Sequence, residues 1–182
     1  MEQALRKDLR LTVSGFYYRL DDLISLTTDP EDELLVFENI DSVESKGLEL
    51  ELERRWETGW RGRLSYSYQE TEDRETNSRL TNSPEHLAKL NLSVPLLEQK
   101  LFAGLELQYV SDRQTPHGTD ADDFVVANLT LLAGRFANGW EFSAGVYNLF
   151  DEHYGDPGSE EHDQDVIEQD GRCFRLKLTY QF

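Results

Sequence analysis

"RCFRLKLTYQF", residues 172–182, sets Phe174, Leu176, Leu178, Tyr180 and Phe182 at every second position, with Cys173, Arg175, Lys177, Thr179 and Gln181 between them. Successive side chains of an extended chain point to opposite faces, so this stretch predicts a strand with one apolar and one polar face. The partner of each face decides the fold.

The same alternation recurs along the whole chain and predicts eight strands, at about 8–26, 34–56, 60–73, 85–96, 100–112, 123–133, 139–150 and 172–182. The second contains "GLELELERRW", with Leu48, Leu50 and Leu52 opposed to Glu49, Glu51 and Glu53. The fifth opposes Leu101, Ala103, Leu105, Leu107 and Tyr109 to Glu106 and Gln108. The sixth is the least regular, being apolar on both faces apart from Asn128 and Thr130. Several of these runs exceed the usual length of soluble strands and match the roughly 9–11 residues of a tilted membrane crossing.

The connections alternate too. "ETG", "LEQ" and about "GRFAN" are tight turns, whereas "TDPEDE", "EDRETNSRLTNSP", "RQTPHGTDAD" and "DEHYGDPGSEEHDQDVIEQDG" are long, polar and acidic. Short turns at one end and long loops at the other is the asymmetry of outer-membrane barrels. At "WETGW" the face alternation requires a three-residue turn of Glu57, Thr58 and Gly59, with Gly59 left-handed. Trp56 then opposes Trp60 on the apolar face, with Trp140 and Phe182 expected at the same level as an interfacial aromatic girdle. Glu53 and Arg63 are expected to meet on the polar face.

The bulk composition narrows the alternatives. The chain has 182 residues, 18 Lys and Arg against 36 Asp and Glu, and a formal net charge of −18. That excess argues against nucleic acid as a partner, since phosphate contacts need clustered cations. No apolar run reaches the length of a membrane-spanning helix, a test that barrels escape because only alternate residues meet lipid. One cysteine, Cys173, leaves no internal disulfide framework. The opening "MEQALRKDLRL" lacks the apolar core of a secretory signal, so an exported form is expected to take its signal from outside these residues.

Four segments in this order resemble the C-terminal part of TonB-dependent outer-membrane receptors: "NIDSVESKGLELELE" from Asn39, "NSPEHLAKLNL" from Asn82, "NLFDEHYGDPG" from Asn148 and "DGRCFRLKLTYQF" from Asp170. The resemblance implies an all-β, transmembrane, antiparallel up-and-down β-barrel, with residues 1–182 as the C-terminal third of a barrel of about 22 strands. It also implies a plug domain and N-terminal strands outside these residues. Such a receptor sits in the outer membrane of a Gram-negative bacterium, among lipid and lipopolysaccharide. It imports a scarce nutrient such as a ferric siderophore, haem or cobalamin, energised by the TonB complex through the plug. Tyr180 and Phe182 match the terminal signal read by the barrel-assembly machinery.

No residue set predicts catalysis, a cofactor or a metal centre. His86, His117, His153 and His162 lie in or beside different loops, and no nucleophile elbow is present. The loop from Asp151 to Asp170 contains His153, Asp156, Glu160, Glu161, His162, Asp163 and Asp165, whose spacing matches no cation loop and predicts solvated surface. Acidic loops of this kind can hold divalent ions that bridge to lipopolysaccharide. Cys173 is expected as a small polar-face residue, and Glu49, Glu51 and Glu53 beside Arg61 and Arg63 as a charged ladder lining an interior. The sequence leaves the ligand-contact residues open. Two alternatives remain: a complete eight-stranded membrane barrel, an anchor or adhesin, whose first and last strands pair; and a soluble acidic barrel of lipocalin type, with its leucines inside.

Overall fold

The computed structural model describes residues 2–28, 34–136, 139–159 and 161–181. Its strands, in chain order, are β1 (Glu2–Arg6), β2 (Leu9–Thr28), β3 (Leu35–Arg55), β4 (Arg61–Asp73), β5 (His86–Leu96), β6 (Leu101–Val110), β7 (Arg113–Gln114), β8 (Asp120–Ala121), β9 (Phe124–Phe136), β10 (Trp140–Tyr147), β11 (Gly155–Pro157), β12 (Val166–Glu168) and β13 (Cys173–Tyr180). Nine of them form one antiparallel sheet in the order β1-β2-β3-β4-β5-β6-β9-β10-β13. Among the long strands each neighbour in space is the next in sequence, which is the up-and-down pattern. The strand β1, which the apolar pattern alone does not reveal, pairs with β2 through a tight turn at Lys7 and Asp8. Two ribbons, β7 with β8 and β11 with β12, order segments expected to be plain loops.

The registers assign the faces. One row runs Leu11, Leu52, Leu64, Leu90, Leu107 and Ala127 across β2 to β9, each residue the Cα partner of the next. The adjacent row on the opposite face runs Arg10, Glu53, Arg63, Asn91, Glu106 and Asn128. In β9 the irregular pattern resolves the same way, with Val125, Leu129 and Leu131 on the leucine face and Val126, Asn128 and Thr130 on the polar face.

No second layer covers the leucines. Leu50 is 36% exposed and Leu176 75% exposed, and the few buried apolar side chains, Val43, Val110, Ala121, Phe124, Ala127 and Ala133, form no central core. A soluble barrel would have spent this apolar area on its interior. The pairing of first and last strands that a complete eight-stranded barrel needs is not among the strand pairs of the described residues: β1 and β13 are the two edges of the sheet, and β2 and β13 do not pair.

The turn at "WETGW" forms as expected. Arg55 pairs with Arg61, the Trp56 amide donates to the Trp60 carbonyl at 3.0 Å, and Gly59 has φ of 87°. A side chain at that φ is strained, so glycine is the residue the turn needs. The tight turns are staggered. Followed along the hydrogen bonds, Arg61 at the start of β4 leads to Ser93, Gly104, Thr130, Gly145 and Arg175. Ser93 lies three residues before the end of β5, and Thr130 six before the end of β9. Such a progressive stagger is the shear that tilts strands in a barrel wall.

Candidate functional site

The polar face is concave. A single recess of about 790 Å³ is lined by Leu87 and Lys89 of β5, Gln108 and Val110 of β6, Val126 and Asn128 of β9, Tyr147 of β10 and Cys173 and Arg175 of β13. All of these are polar-face positions, and five adjacent strands reach one cavity only if the sheet curls toward that face.

The recess lies under a layer of loops that bind each other. Arg113, 6% exposed, donates from Nη1 to Asp156 Oδ1 at 2.6 Å and from Nη2 to the Gly155 carbonyl at 2.8 Å. Its guanidinium lies 5.4 Å from the centre of the Phe124 ring, which meets Tyr154 at 4.3 Å. Asp165 receives Thr119 Oγ1 at 2.9 Å and lies 2.5 Å from His117 Nδ1. Arg79 bridges a third loop, donating to the Asp112 carboxylate at 2.8 Å and to its carbonyl at 2.6 Å. Burial pushes the Tyr154 phenol above its usual range, and the carboxylates of Asp156 and Asp170 act in the same direction.

Asn148 is the hub of the last loop. It is buried with φ of 50°, its amide donates to Asn128 Oδ1 at 2.9 Å, its Nδ2 donates to the Glu152 carbonyl at 2.8 Å, and its Oδ1 accepts the Glu152 amide at 2.8 Å. Asparagine tolerates the left-handed region and caps its own turn, which is the physical content of the "NLFDEHYG" segment.

Inside the recess two cations are uncommitted: Lys89 has no ion-pair or hydrogen-bond partner among the described residues, and Arg175 is held only against the Tyr147 ring at 5.4 Å. In a chain with twice as many acidic as basic residues, two cations without a carboxylate partner among the described residues share one cavity, whose lining also includes Asp156 and Asp170. Sequence pattern placed these residues on the polar face. It could not reveal Arg113 as the one buried charge among the described residues, because its partner lies in another loop.

Among the described residues the acidic loop does not bring its carboxylates and histidines together as a cation site. Asp156 is taken by Arg113 and Asp165 by His117 and Thr119, while His162 Nδ1 lies 2.7 Å from Ser159 Oγ. His153, Glu161 and Asp163 are exposed, and Glu160 lies outside the described residues. Among the described residues no three His, Cys, Asp or Glu side chains converge as metal ligands. Cys173 is an exposed thiol at the recess.

The charged ladder forms with different partners than expected. Glu53 and Arg63 are Cα partners, yet Glu53 pairs with Arg10 and, at 2.9 Å, with Arg55, while Arg63 Nε lies 3.8 Å from Glu51. Arg10, brought in by β2, is nearer than the expected partner. Glu49 is exposed on the same face.

On the leucine face Trp56 sits against Gly62 and beneath the Arg54 guanidinium at 4.9 Å, and Trp60 is its cross-strand partner. Trp140 pairs with Tyr180, their rings 4.7 Å apart. Phe182 lies outside the described residues. On this face Trp60, just before β4, is followed by Leu64, Tyr66 and Tyr68 of β4, then Glu70 and Glu72. From Trp60 to Tyr68 the tilted strand rises about 20 Å, close to the roughly 25 Å apolar band of membrane barrels. Above the tyrosines the face turns charged, with Lys46 2.6 Å from Glu70.

A family model described as TonB dependent receptor-like, beta-barrel, matches residues 4–149. The chain belongs to the TonB-dependent receptor β-barrel family. Members of this family are outer-membrane receptors of Gram-negative bacteria and not enzymes. Among solved structures, the family likeness is strong in fold and weak in sequence. The ferric-catecholate import receptor Fiu from E. coli K12 is 20% identical with a TM-score of 0.74, over 99% of this chain and 26% of Fiu. The copper transporter OprC is 20% identical with a TM-score of 0.77, over 98% of this chain and 30% of OprC. The ferric yersiniabactin uptake receptor FyuA from Yersinia pestis is 18% identical with a TM-score of 0.79, over 97% of this chain and 28% of FyuA. The chain thus spans less than a third of the length of these receptors. No curated protein matches it by sequence.

Proposed function

We propose that these residues are the C-terminal part of an outer-membrane receptor that imports a scarce nutrient as an anionic metal chelate of the ferric-siderophore class. The observation that carries this reading is the recess under the loop layer, with Lys89 and Arg175 unpaired by any carboxylate among the described residues and the rings of Tyr147, Tyr154 and Phe124 lining the same space. Cations select the charge of the cargo and aromatic faces suit its planar chelating groups. A bare metal ion has no comparable ligand set among the described residues.

In this reading residues 1–182 form the last part of the barrel, spanning less than a third of the length of the similar receptors. Trp56, Trp60 and Trp140 form the girdle at the tight-turn end. The leucine face meets membrane lipid, and the charged rows above the tyrosines meet lipopolysaccharide. Tyr180 and Phe182 carry the signal for the barrel-assembly machinery, and a plug outside these residues engages the TonB complex.

The test uses the full-length receptor in detergent and compares binding of a ferric tris-catecholate, which is strongly anionic, with an uncharged ferric trihydroxamate. The anionic chelate should bind more tightly, and Lys89→Gln and Arg175→Gln should each weaken it about tenfold, the scale of one charge-assisted hydrogen bond. Equal affinities, unchanged by both substitutions, would overturn the reading.

A further inference from the structure

On the leucine face, the row of Cα partners nearest the first tight turn is apolar except where it begins. From Arg6 it runs through Leu9, Arg54, Gly62, Leu92 and Leu105. Arg6 and Arg54 are thus cations on the face that carries the leucines, and Arg54 lies two residues inside Trp56, at the edge of the apolar band. A charge that meets hydrocarbon is costly unless a group of opposite charge takes it.

The fold seats Arg54 with some care. Gly62 has no side chain, and the Trp56 ring lies over it, 3.1 Å from where a Cβ would stand. The Arg54 guanidinium sits 4.9 Å from the centre of a Trp56 ring, and its Nε donates to Asp8 Oδ2 at 3.3 Å. Its Nη1 and Nη2 have no acceptor among the described residues. Arg6 and Lys7, both exposed beside Asp8, have no ion-pair or hydrogen-bond partner among the described residues either. Within this turn and row one carboxylate therefore faces three cations. At the loop end of the sheet, by contrast, Arg19, Lys46 and Arg74 are each ion-paired.

We infer that this corner of the outer wall is a phospholipid headgroup site, in which the two Nη groups of Arg54, seated on Trp56, hold the phosphate. Arg6 and Lys7 supply further positive charge, and the acyl chains follow Leu92 and Leu105. Guanidinium forks match phosphate oxygens, and a ring beneath the guanidinium fixes its position in advance. The occupant is a lipid and not a free anion, because the site borders the leucine rows and so lies within reach of a headgroup in the bilayer. Tight turns mark the periplasmic side of such a barrel, so the lipid belongs to the leaflet opposite the lipopolysaccharide. A plug inside the barrel does not reach this face, and β2 and β4 already flank β3 on either side. The inference rests on the reading that the leucine face meets membrane lipid.

The experiment is native mass spectrometry of the full-length receptor released from detergent, titrated with phosphatidylglycerol or with diacylglycerol of the same acyl chains. Phosphatidylglycerol should be retained and diacylglycerol lost. Arg54→Gln should weaken phosphatidylglycerol binding about tenfold, and Arg54→Lys, which keeps the charge without the fork, by less. Lys177→Gln, the same loss of charge on the opposite face, should change nothing. Equal retention of the two lipids, or equal effects of Arg54→Gln and Lys177→Gln, would overturn the inference. Unfolding of Leu176→Arg in lipid vesicles tests the lipid-facing reading by itself, without Arg54. A costly Leu176→Arg with an inert Arg54→Gln removes the headgroup site alone, whereas a harmless Leu176→Arg removes the reading of the face and the site with it.

Discussion

Arg113 and Asp156, 43 positions apart, join two loops through a 2.6 Å ion pair whose arginine is buried and whose carboxylate is half-exposed. The Arg113 Nε is itself buried and makes no hydrogen bond among the described residues, so the group depends on the Asp156 contact and the Phe124 ring. Asp156→Ala leaves a buried cation with only the Gly155 carbonyl as acceptor, a loss of about 1–3 kcal/mol of local stability. Amide exchange in residues 113–121 and 155–168 should accelerate together. Acceleration confined to one loop would mean that the ion pair does not couple them.

A charge placed on the leucine face separates membrane lipid from every aqueous alternative. Leu176, 75% exposed with no protein covering it, should cost about 2–4 kcal/mol as Leu176→Arg in a bilayer. Lys177→Gln on the opposite face of the same strand should cost little. Unfolding free energies of the full-length receptor in lipid vesicles measure both, and equal effects would refute the assignment of faces.

Gly47 is required by its neighbours and not by its backbone angles. An added Cβ would stand 2.5 Å from the Phe16 ring and 2.5 Å from the Tyr68 carbonyl oxygen. Phe16 covers the glycine and stacks on Tyr18 at 5.3 Å, so the ring has no free direction of retreat along that side. Gly47→Ala should destabilise by about 1–3 kcal/mol, and Gly47→Ala with Phe16→Ala should recover part of that loss, as measured by urea unfolding.

Asp73, at the loop end of β4 beyond the apolar band, accepts amides of Glu75 at 2.7 Å and Thr76 at 3.0 Å. These bonds, the one from Thr76 foremost, hold its carboxyl below the usual aspartate range. The contribution to stability is therefore complete above the unfolded aspartate value of about 4 and is lost as pH falls through the lower folded value. Exchange at the Glu75 and Thr76 amides should rise only under strongly acid conditions, and in Asp73→Ala it should be fast at neutral pH as well.

What pattern alone conveyed was extensive because the side-chain period of a strand is two. Leu48, Leu50 and Leu52 against Glu49, Glu51 and Glu53 determine a face locally, and the parity of "WETGW" then determines the register of β3 on β4. The same parity argument chose the turn length and the left-handed Gly59. The segment Glu2–Arg6 escaped notice because five residues are too few to show a period, and its pairing rests on the turn at Lys7 and Asp8.

Contacts between loops are another matter, since no periodicity links Arg113 to Asp156, Arg79 to Asp112 or Thr119 to Asp165. Which glutamate meets which arginine on the polar wall was likewise settled in space: β2 brings Arg10 to Glu53, and Arg63 turns toward Glu51. The amino-acid sequence by itself thus determined the strands, their faces and the sorting of turns from loops, because each follows from interactions within a hairpin. Only the tertiary structure decided the buried arginine, the unpaired cations and the recess under the loops, because each depends on curvature that brings together strands far apart in the chain.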